Sequence, residues 1–257
     1  MKVAQKQSEE KPDFKEVKAR PWERLADHLK RCPQECTMTQ FGTHQGMIDE
    51  LGKRILEFKN CGEKIVINQV GLGMAQRERF TVRGKDMFMK NFSYETFEIL
   101  NVVRNAGIKP EEFTLYAMDI RNDVLLAVKS TKVLMMDERE KSTGYFKNFF
   151  PGFHGEEKDG YTPVRIPEDY RKRIICPKPF SIELDPAPVK AHITFSSIPA
   201  VLGNSKYSDN VAKSTREGGY IICLNFDVES AKKFNLQVVP PQATHFSVYH
   251  MPGKEKV

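Results

Sequence analysis

The residues best suited to chemistry in this sequence stand at the ends of two apolar runs. Gly71 and Gly73 follow IVINQV, and Asp119 follows FTLYAM. Glycine lets a backbone turn sharply and approach a ligand closely. A carboxylate at the tip of the next strand can accept hydrogen bonds from both hydroxyls of a ribose, although it can also cap the helix predicted in DVLLAVKS. The pair predicts a cofactor that carries a ribose.

The glycine pattern separates two classes of cofactor. The dinucleotide-binding fingerprint GxGxxG needs a third glycine at the position of Gln76. We therefore expect S-adenosylmethionine (SAM) rather than NAD. A helix predicted in AQRERFTV, directly after the glycine turn, would offer free amide groups to the cofactor.

Predicted strands alternate with predicted helices through most of the 257 residues. This pattern predicts an α/β fold with a Rossmann-like seven-stranded, mostly parallel sheet, a C-terminal antiparallel hairpin and helices on both faces. We predict a flexible tail at 1–20, a helical segment at 21–60 and the SAM-binding domain at 61–257. The predicted strands are IVINQV, FTLYAM, Phe180–Leu184, His192–Phe195 and Tyr220–Leu224, followed by a hairpin in FNLQVV and PPQATHFSVYHM.

The polar residues at the strand ends should meet at one edge of the sheet. Ligands of open parallel sheets bind beyond the carboxyl ends of the strands. The glycine turn, Asp119, Glu183, Ser196 and Ser197 all follow or end predicted strands. We expect them to form the cofactor site.

Several segments resemble successive motifs of CheR-type protein-glutamate methyltransferases, a SAM-dependent class I family. They run in order from residue 37 to 225: TQFGTHQGMIDELGKRIL, IVINQVGLGMAQRERFTV, FTLYAMDIRNDVLLAVKS, GYFKNFF, AHITFSSIPAVL and STREGGYIICLN. Glu78-Arg79-Phe80-Thr81 resembles the Glu-Pro-Tyr-Ser run of that family. The resemblance implies that Gly71, Gly73 and Glu78 lie near the methionine part of SAM, Asp119 on the ribose and Glu183 near the adenine.

The acceptor half of the resemblance departs from the family pattern. The family has an arginine after paired phenylalanines, but this chain has Phe41-Gly42-Thr43 there. After the fourth strand the family has an Arg-Asn pair and then a tyrosine. This chain has Ser196-Ser197 and then Leu202 at those positions. The acceptor is therefore open between a protein carboxylate, RNA and a small molecule, and a non-catalytic relative is a further alternative. An ionised carboxylate needs no general base. Arg77 and Arg79 are the candidate cations beside it.

Composition excludes some other classes. The net charge of +6 comes from basic residues spread along the chain, which only mildly favours an acidic partner. No stretch approaches the roughly 18 apolar residues of a membrane span, and the charged N-terminus lacks an apolar region, so we expect a cytoplasmic protein. Five cysteines without zinc-ribbon spacing predict free thiols and no metal site. The aromatic segment at 145–150 is expected in the core, His154 in a structural or surface role, and the oligomeric state is left open.

Overall fold

A seven-stranded sheet is the centre of the structure, which is a computed structural model. It describes residues 12–13, 45–72, 76–82, 85–91, 94–120, 122–197, 205–224, 226–240 and 246–253. The strands are β1 (Ile65–Val70), β2 (Gln76–Val82), β3 (Lys85–Asn91), β4 (Phe113–Met118), β5 (Val133–Met136), β6 (Thr162–Arg165), β7 (Ile174–Ile175), β8 (Ala191–Ser196), β9 (Thr215–Cys223), β10 (Gln237–Val238) and β11 (Ser247–His250). The helices are α1 (Gln45–Lys59), α2 (Glu95–Asn105), α3 (Asn122–Ser130), α4 (Glu138–Lys141), α5 (Glu168–Arg171), α6 (Ser205–Lys213) and α7 (Val228–Lys233).

The strand order in the sheet is β10-β11-β9-β8-β1-β4-β7. Strands β7, β4, β1, β8 and β9 run parallel, whereas β11 is antiparallel to both β9 and β10. From β1 the chain first adds β4 and β7 on one side and then returns to add β8 and β9 on the other. This is the mostly parallel sheet with a C-terminal antiparallel hairpin that the sequence predicts, so the predicted fold class is confirmed.

The central strands are mostly apolar and buried because both faces of the sheet are covered. Every residue of β4 and of β8 is buried. Along β4, Leu115 and Ala117 pack into one hydrophobic cluster with α1 and α2, while Tyr116 and Met118 pack into a second cluster with α6. Alternate side chains of a strand point to opposite faces, so a strand buried on both faces reads as a continuous apolar run.

A hairpin follows the glycine turn, so the helix predicted in AQRERFTV is wrong. Gln76–Val82 forms β2, which pairs antiparallel with β3 in a separate two-stranded sheet. Two runs of seven residues flank the dipeptide Arg83-Gly84, and a short glycine-containing connection between such runs is a hairpin signal. Helix α2 begins only after this hairpin.

The strand predicted at Phe180–Leu184 is also wrong, because this segment forms a turn. Prolines at 177, 179, 186 and 188 flank it, and proline cannot donate a hydrogen bond to a strand ladder. The edge position beside β4 is taken instead by the two-residue β7.

Other predictions have mixed outcomes. The aromatic segment lies in the core as expected, since Phe149 and Phe150 are fully buried. Nearly all of the predicted tail at 1–20, and residues 21–44 of the helical segment predicted at 21–60, lie outside the described residues, whereas α1 lies within that segment. Among the helices that the structure describes, each is too short or too polar to cross a bilayer.

Candidate functional site

The strand order reverses at β1, whose neighbours β4 and β8 are reached by opposite crossovers. Val70, the last residue of β1, is in register with Met118 of β4 and with Ser196 of β8. The residues that follow these three strands therefore lie side by side at the carboxyl edge of the sheet. In open α/β sheets such a switch point is where ligands bind.

Gly71 makes the turn at the end of β1. Its φ of +76° lies in the left-handed region, where glycine alone is unstrained. The Gly71 N–H donates to the Met118 carbonyl over 2.9 Å. The N–H of the buried Leu72 donates to Oδ2 of Asp119 over 2.8 Å. The turn is thus fastened to the end of β4, and Gly71 and Asp119 meet as the sequence predicts. Gly73 lies outside the described residues.

Asp119 connects three segments of this edge. Its carboxylate reaches the β1 turn at Leu72, and its carbonyl accepts the Phe180 N–H over 2.9 Å. The side chain is 9% exposed. Helix α3, for which this aspartate is an alternative cap, begins three residues later at Asn122. The carboxylate therefore organises the turn of β1 from the tip of β4.

Glu183 lies in the turn that folds back over the carboxyl edge. Phe180 and Ile182 of this turn pack in one cluster with Val70 and Met118, the last residues of β1 and β4. The Asn210 amide of α6 donates to the Ile182 carbonyl over 2.8 Å. The turn is thereby held against α6, with Glu183 half-buried at the edge where the sequence predicts it.

Ser196 ends β8 and is fully buried. Its hydroxyl is hydrogen-bonded to the hydroxyl of Tyr207 on α6. Burial raises the pKa of Tyr207 well above its usual range, and the Ser196 hydrogen bond lowers it. The acidic groups of Cys223, Glu183 and Glu95 also raise it.

The sequence did not predict Tyr207 at this edge. The family resemblance implies a tyrosine a few residues after β8, where this chain has Leu202, but α6 brings the more distant Tyr207 to Ser196. The available signal was the spacing of Tyr207 and Val211, which stand one helical turn apart and are both buried.

Glu95 is a second site residue that sequence analysis missed. It stands in the first turn of α2 and is 2% exposed. Its Oε1 accepts the Gln69 amide over 3.1 Å, and the Thr96 hydroxyl donates to Gln69 Oε1 over 2.8 Å. Burial raises the pKa of Glu95 to about 7, while hydrogen bonding from Ser197 and Gln69 acts in the opposite direction. The available signal was Gln69 itself, an amide inside an apolar strand.

The remaining candidates lie on the inserted hairpin. The backbone places Glu78 opposite Met89, Arg77 opposite Lys90 and Arg79 opposite Phe88. Glu78-Arg79-Phe80-Thr81, the run that resembles Glu-Pro-Tyr-Ser, lies in β2 and not in the helix predicted in AQRERFTV. Within the described part of the chain, no group of three metal-ligating side chains is present.

His154 has a structural environment. Its Nε2 lies 2.6 Å from the Phe149 carbonyl oxygen, and its ring stacks on Phe146 with centroids 4.6 Å apart. His154 also forms an isolated β-bridge to Val164 of β6. These contacts agree with the structural role expected from the sequence.

No protein-family model matches this chain, and no curated protein matches it in sequence. Several solved structures are similar to it over much of its length, with low sequence identity. An O-methyltransferase family protein from Burkholderia thailandensis is 8% identical, with a TM-score of 0.47, over 92% of this chain and 64% of that one. The N-methyltransferase NodS from Bradyrhizobium japonicum WM9, in complex with S-adenosyl-L-homocysteine, is 8% identical, with a TM-score of 0.41, over 84% and 91%. A SAM-dependent O-methyltransferase from Thermotoga maritima is 10% identical, with a TM-score of 0.37, over 80% and 66%.

The chain has a Rossmann-like fold. Its own strand order and parallel pairing carry that assignment, since the matched structures are distant. The chain spans slightly less than two thirds of the length of the Burkholderia protein.

Asp119 should contribute to stability through the β1 turn. Asp119→Ala leaves the buried Leu72 N–H without its acceptor, and we expect the free energy of unfolding to fall by about 1–3 kcal/mol. Asp119→Asn keeps an oxygen that can accept this hydrogen bond, so its free energy of unfolding should fall clearly less than that of Asp119→Ala. Urea denaturation at neutral pH measures both variants, and equal losses would contradict this role.

Glu95 should destabilise the folded protein above neutral pH. The unfolded chain releases this proton near pH 4.5, whereas the folded protein keeps it up to about pH 7. Stability is therefore lost as the pH rises between these values, by up to about 3 kcal/mol. We expect Glu95→Gln to stabilise the protein at about pH 8 and to have little effect at about pH 5. Thermal or urea unfolding at the two pH values tests this, and an effect that does not change with pH would disprove it.

Proposed function

We propose that this protein binds SAM at the carboxyl edge of β1 and transfers its methyl group to an acceptor. The observation that carries the proposal is the turn at Gly71, fastened through Leu72 to Asp119 at the point where the strand order reverses. This arrangement brings a close backbone approach and a carboxylate to the position where open α/β sheets bind ligands.

The residues at this edge fit the parts of SAM. A carboxylate has about four lone-pair sites, so Asp119 can accept from the ribose hydroxyls as well as from Leu72. Glu183, in the turn over the edge, is proposed near the adenine, and Gly71, Gly73 and Glu78 near the methionine part. Ser197 follows β8 directly and is the better placed of the two serines, because the Ser196 hydroxyl is engaged with Tyr207.

Methyl transfer from SAM requires few catalytic groups from the protein. Bound SAM would supply a methyl group on a positively charged sulfur, and the C–S electron pair stays on the sulfur when an acceptor lone pair takes the methyl group. The protein must position the acceptor and exclude water. A buried edge formed by Leu72, Ser196 and Tyr207 is suited to that task.

A protein carboxylate is one acceptor class that the resemblance supports. Its negative charge would need a cation in place of the arginine that Thr43 does not supply. Arg79 and Arg77 lie two residues apart in β2, on the hairpin that directly follows the glycine turn. We propose Arg79 as the acceptor-binding cation.

The charges at the edge favour a second acceptor class. Glu95, Asp119 and Glu183 place three acidic side chains around the ends of β1, β4 and β8. Like charges repel more strongly where water is excluded. This observation favours a neutral or cationic acceptor, such as an amine of a small molecule or an RNA base, over an anionic one.

Binding of SAM is the first test. We expect isothermal titration calorimetry to detect SAM and S-adenosylhomocysteine without added metal. Asp119→Asn should weaken the binding free energy of SAM by about 1–3 kcal/mol, because the charged hydrogen-bond acceptor is lost while the turn of β1 is kept. The control is Glu111→Gln, an exposed change in the turn that precedes β4, at the opposite end of the strand from Asp119. Absence of heat and of a thermal shift with both ligands at millimolar concentration would disprove the proposed function.

The acceptor class is decided by the methylated product. Labelled SAM is incubated with panels of protein, RNA and small-molecule acceptors, and the product is treated with mild base, which cleaves a methyl ester. A carboxylate acceptor is supported if the wild type forms a base-labile product, Arg79→Ala does not form it, and the control Arg165→Ala on β6 still forms it. A base-stable product supports an amine or another acceptor. Tight SAM binding without transfer to any acceptor supports a non-catalytic relative.

A further inference from the structure

Glu95 reaches the switch point from the side of helix α2. Its Oε1 accepts the amide of Gln69, the penultimate residue of β1, and the nearby Ser197, which follows β8, acts to lower its pKa. Gln69 is in register with Phe195 of β8. The carboxylate therefore lies where the ends of β1 and β8 meet, beside the proposed SAM site.

One oxygen of this carboxylate is unpartnered. Oε2 of Glu95 is buried and has no hydrogen-bond partner among the described residues. Buried polar atoms are nearly always hydrogen-bonded, and an unpaired one costs free energy. A buried carboxylate oxygen without a hydrogen-bond partner, at the edge where ligands bind, indicates a partner that the described residues do not supply.

Glu50 is a buried glutamate with a structural role and can be compared with Glu95. Its exposure, 4%, is similar to that of Glu95. Its carboxylate is paired with Lys53 and Arg54 on the same helix, α1, and its pKa is lowered despite burial because of these partners. Glu95 has no such cation among the described residues, so its charge is left uncompensated.

Among the described residues, the other titratable groups around Glu95 supply no positive charge. Tyr207 and Glu183 lie across the edge, and burial raises the pKa of the Cys223 thiol on β9 to about 12. On the side of α2, Glu98 is a second buried acid in the first turn, and Tyr94 is hydrogen-bonded to Glu140 of α4. All of these groups are neutral or acidic at neutral pH.

We propose that Glu95 receives the positively charged methionyl end of SAM, with Gln69 and Thr96 holding the carboxylate in place. This inference rests on the proposed function, because it takes SAM as the ligand. SAM carries an ammonium and a sulfonium, and either cation would compensate the buried carboxylate. An opposite charge stabilises the ionised form of an acid, so binding removes the proton from Glu95.

Proton release makes the affinity depend on pH. With a pKa of about 7 in the free protein, Glu95 is mostly protonated at about pH 6 and mostly ionised at about pH 7.5. The affinity for SAM should rise roughly tenfold between these two values, and about one proton should be released at the lower one. The upper value is kept below the usual range for an α-amino group, so that more than half of the ligand keeps its ammonium charge.

Calorimetry at both pH values, each in two buffers of different ionisation enthalpy, measures affinity and proton release together. The proteins are the wild type, Glu95→Gln and the control Glu140→Gln. Glu140 has a pKa of about 7 as well, but it is bonded to Tyr94 and to the Asp137 backbone. We expect Glu95→Gln to lose proton release and pH dependence and to bind SAM at pH 7.5 roughly tenfold more weakly or worse. The control should behave as the wild type.

The outcomes separate the two proposals. Binding with the same affinity and proton release in wild type and Glu95→Gln overturns the role of Glu95 and leaves the proposed function intact. Failure of the wild type to bind SAM at either pH overturns both. S-adenosylhomocysteine lacks the sulfonium charge, so a pH dependence shared by both ligands assigns the ammonium as the partner, and one confined to SAM assigns the sulfonium.

Discussion

The parallel pairing of β1 with both β4 and β8 is the constraint on which the rest of this structure depends. Hydrogen-bond ladders on both sides fix the register of β1, and so place Val70 beside Met118 and Ser196. The Gly71 turn, Asp119 and Ser197 meet only because the three strands end at the same level. A shift of one residue would turn the buried side chains of β1 to the opposite faces.

Strand β1 carries two amides in its interior, and both are fully buried. The Asn68 amide donates to the Val189 and Ser214 carbonyls over 2.9 and 3.3 Å. Gln69, on the other face, joins Glu95 and Thr96 of α2. Burying an amide is unfavourable unless hydrogen bonds replace those with water. These bonds therefore tie the segments on each face to the central strand.

Two glutamates with a pKa of about 7 lie near the start of α2. Glu140 belongs to the first turn of α4, where its carboxylate accepts the Asp137 N–H over 2.6 Å and Asp137 accepts the Glu140 N–H over 3.0 Å. This reciprocal capping gives Glu140 a structural purpose. Glu95 lacks a comparable arrangement. Shifted pKa values that structure does not explain are concentrated at functional sites, where stability is given up for binding or catalysis.

The sequence by itself determined the fold class and predicted several of the polar residues at the carboxyl edge of the sheet. The apolar runs IVINQV and FTLYAM, the helical spacing between them and the polar residue after each specify a parallel sheet with Gly71 and Asp119 at one edge. Local patterns suffice here because a strand buried on both faces has a composition that few other elements share. Asp119, Ser196 and Ser197 follow from the same logic, since carboxyl ends of parallel strands meet.

Tertiary structure decided the rest, because it depends on which segments pair across long stretches of chain. The run QRERFTV became a strand through its pairing with KDMFMKN, and this displaced the helix start from the glycine turn to Tyr94 and Glu95. Tyr207 reached Ser196 only through the return of α6 across the sheet edge. The unpartnered oxygen of Glu95 is visible only when every neighbour is placed, since a glutamate in a helix is ordinarily a solvated residue.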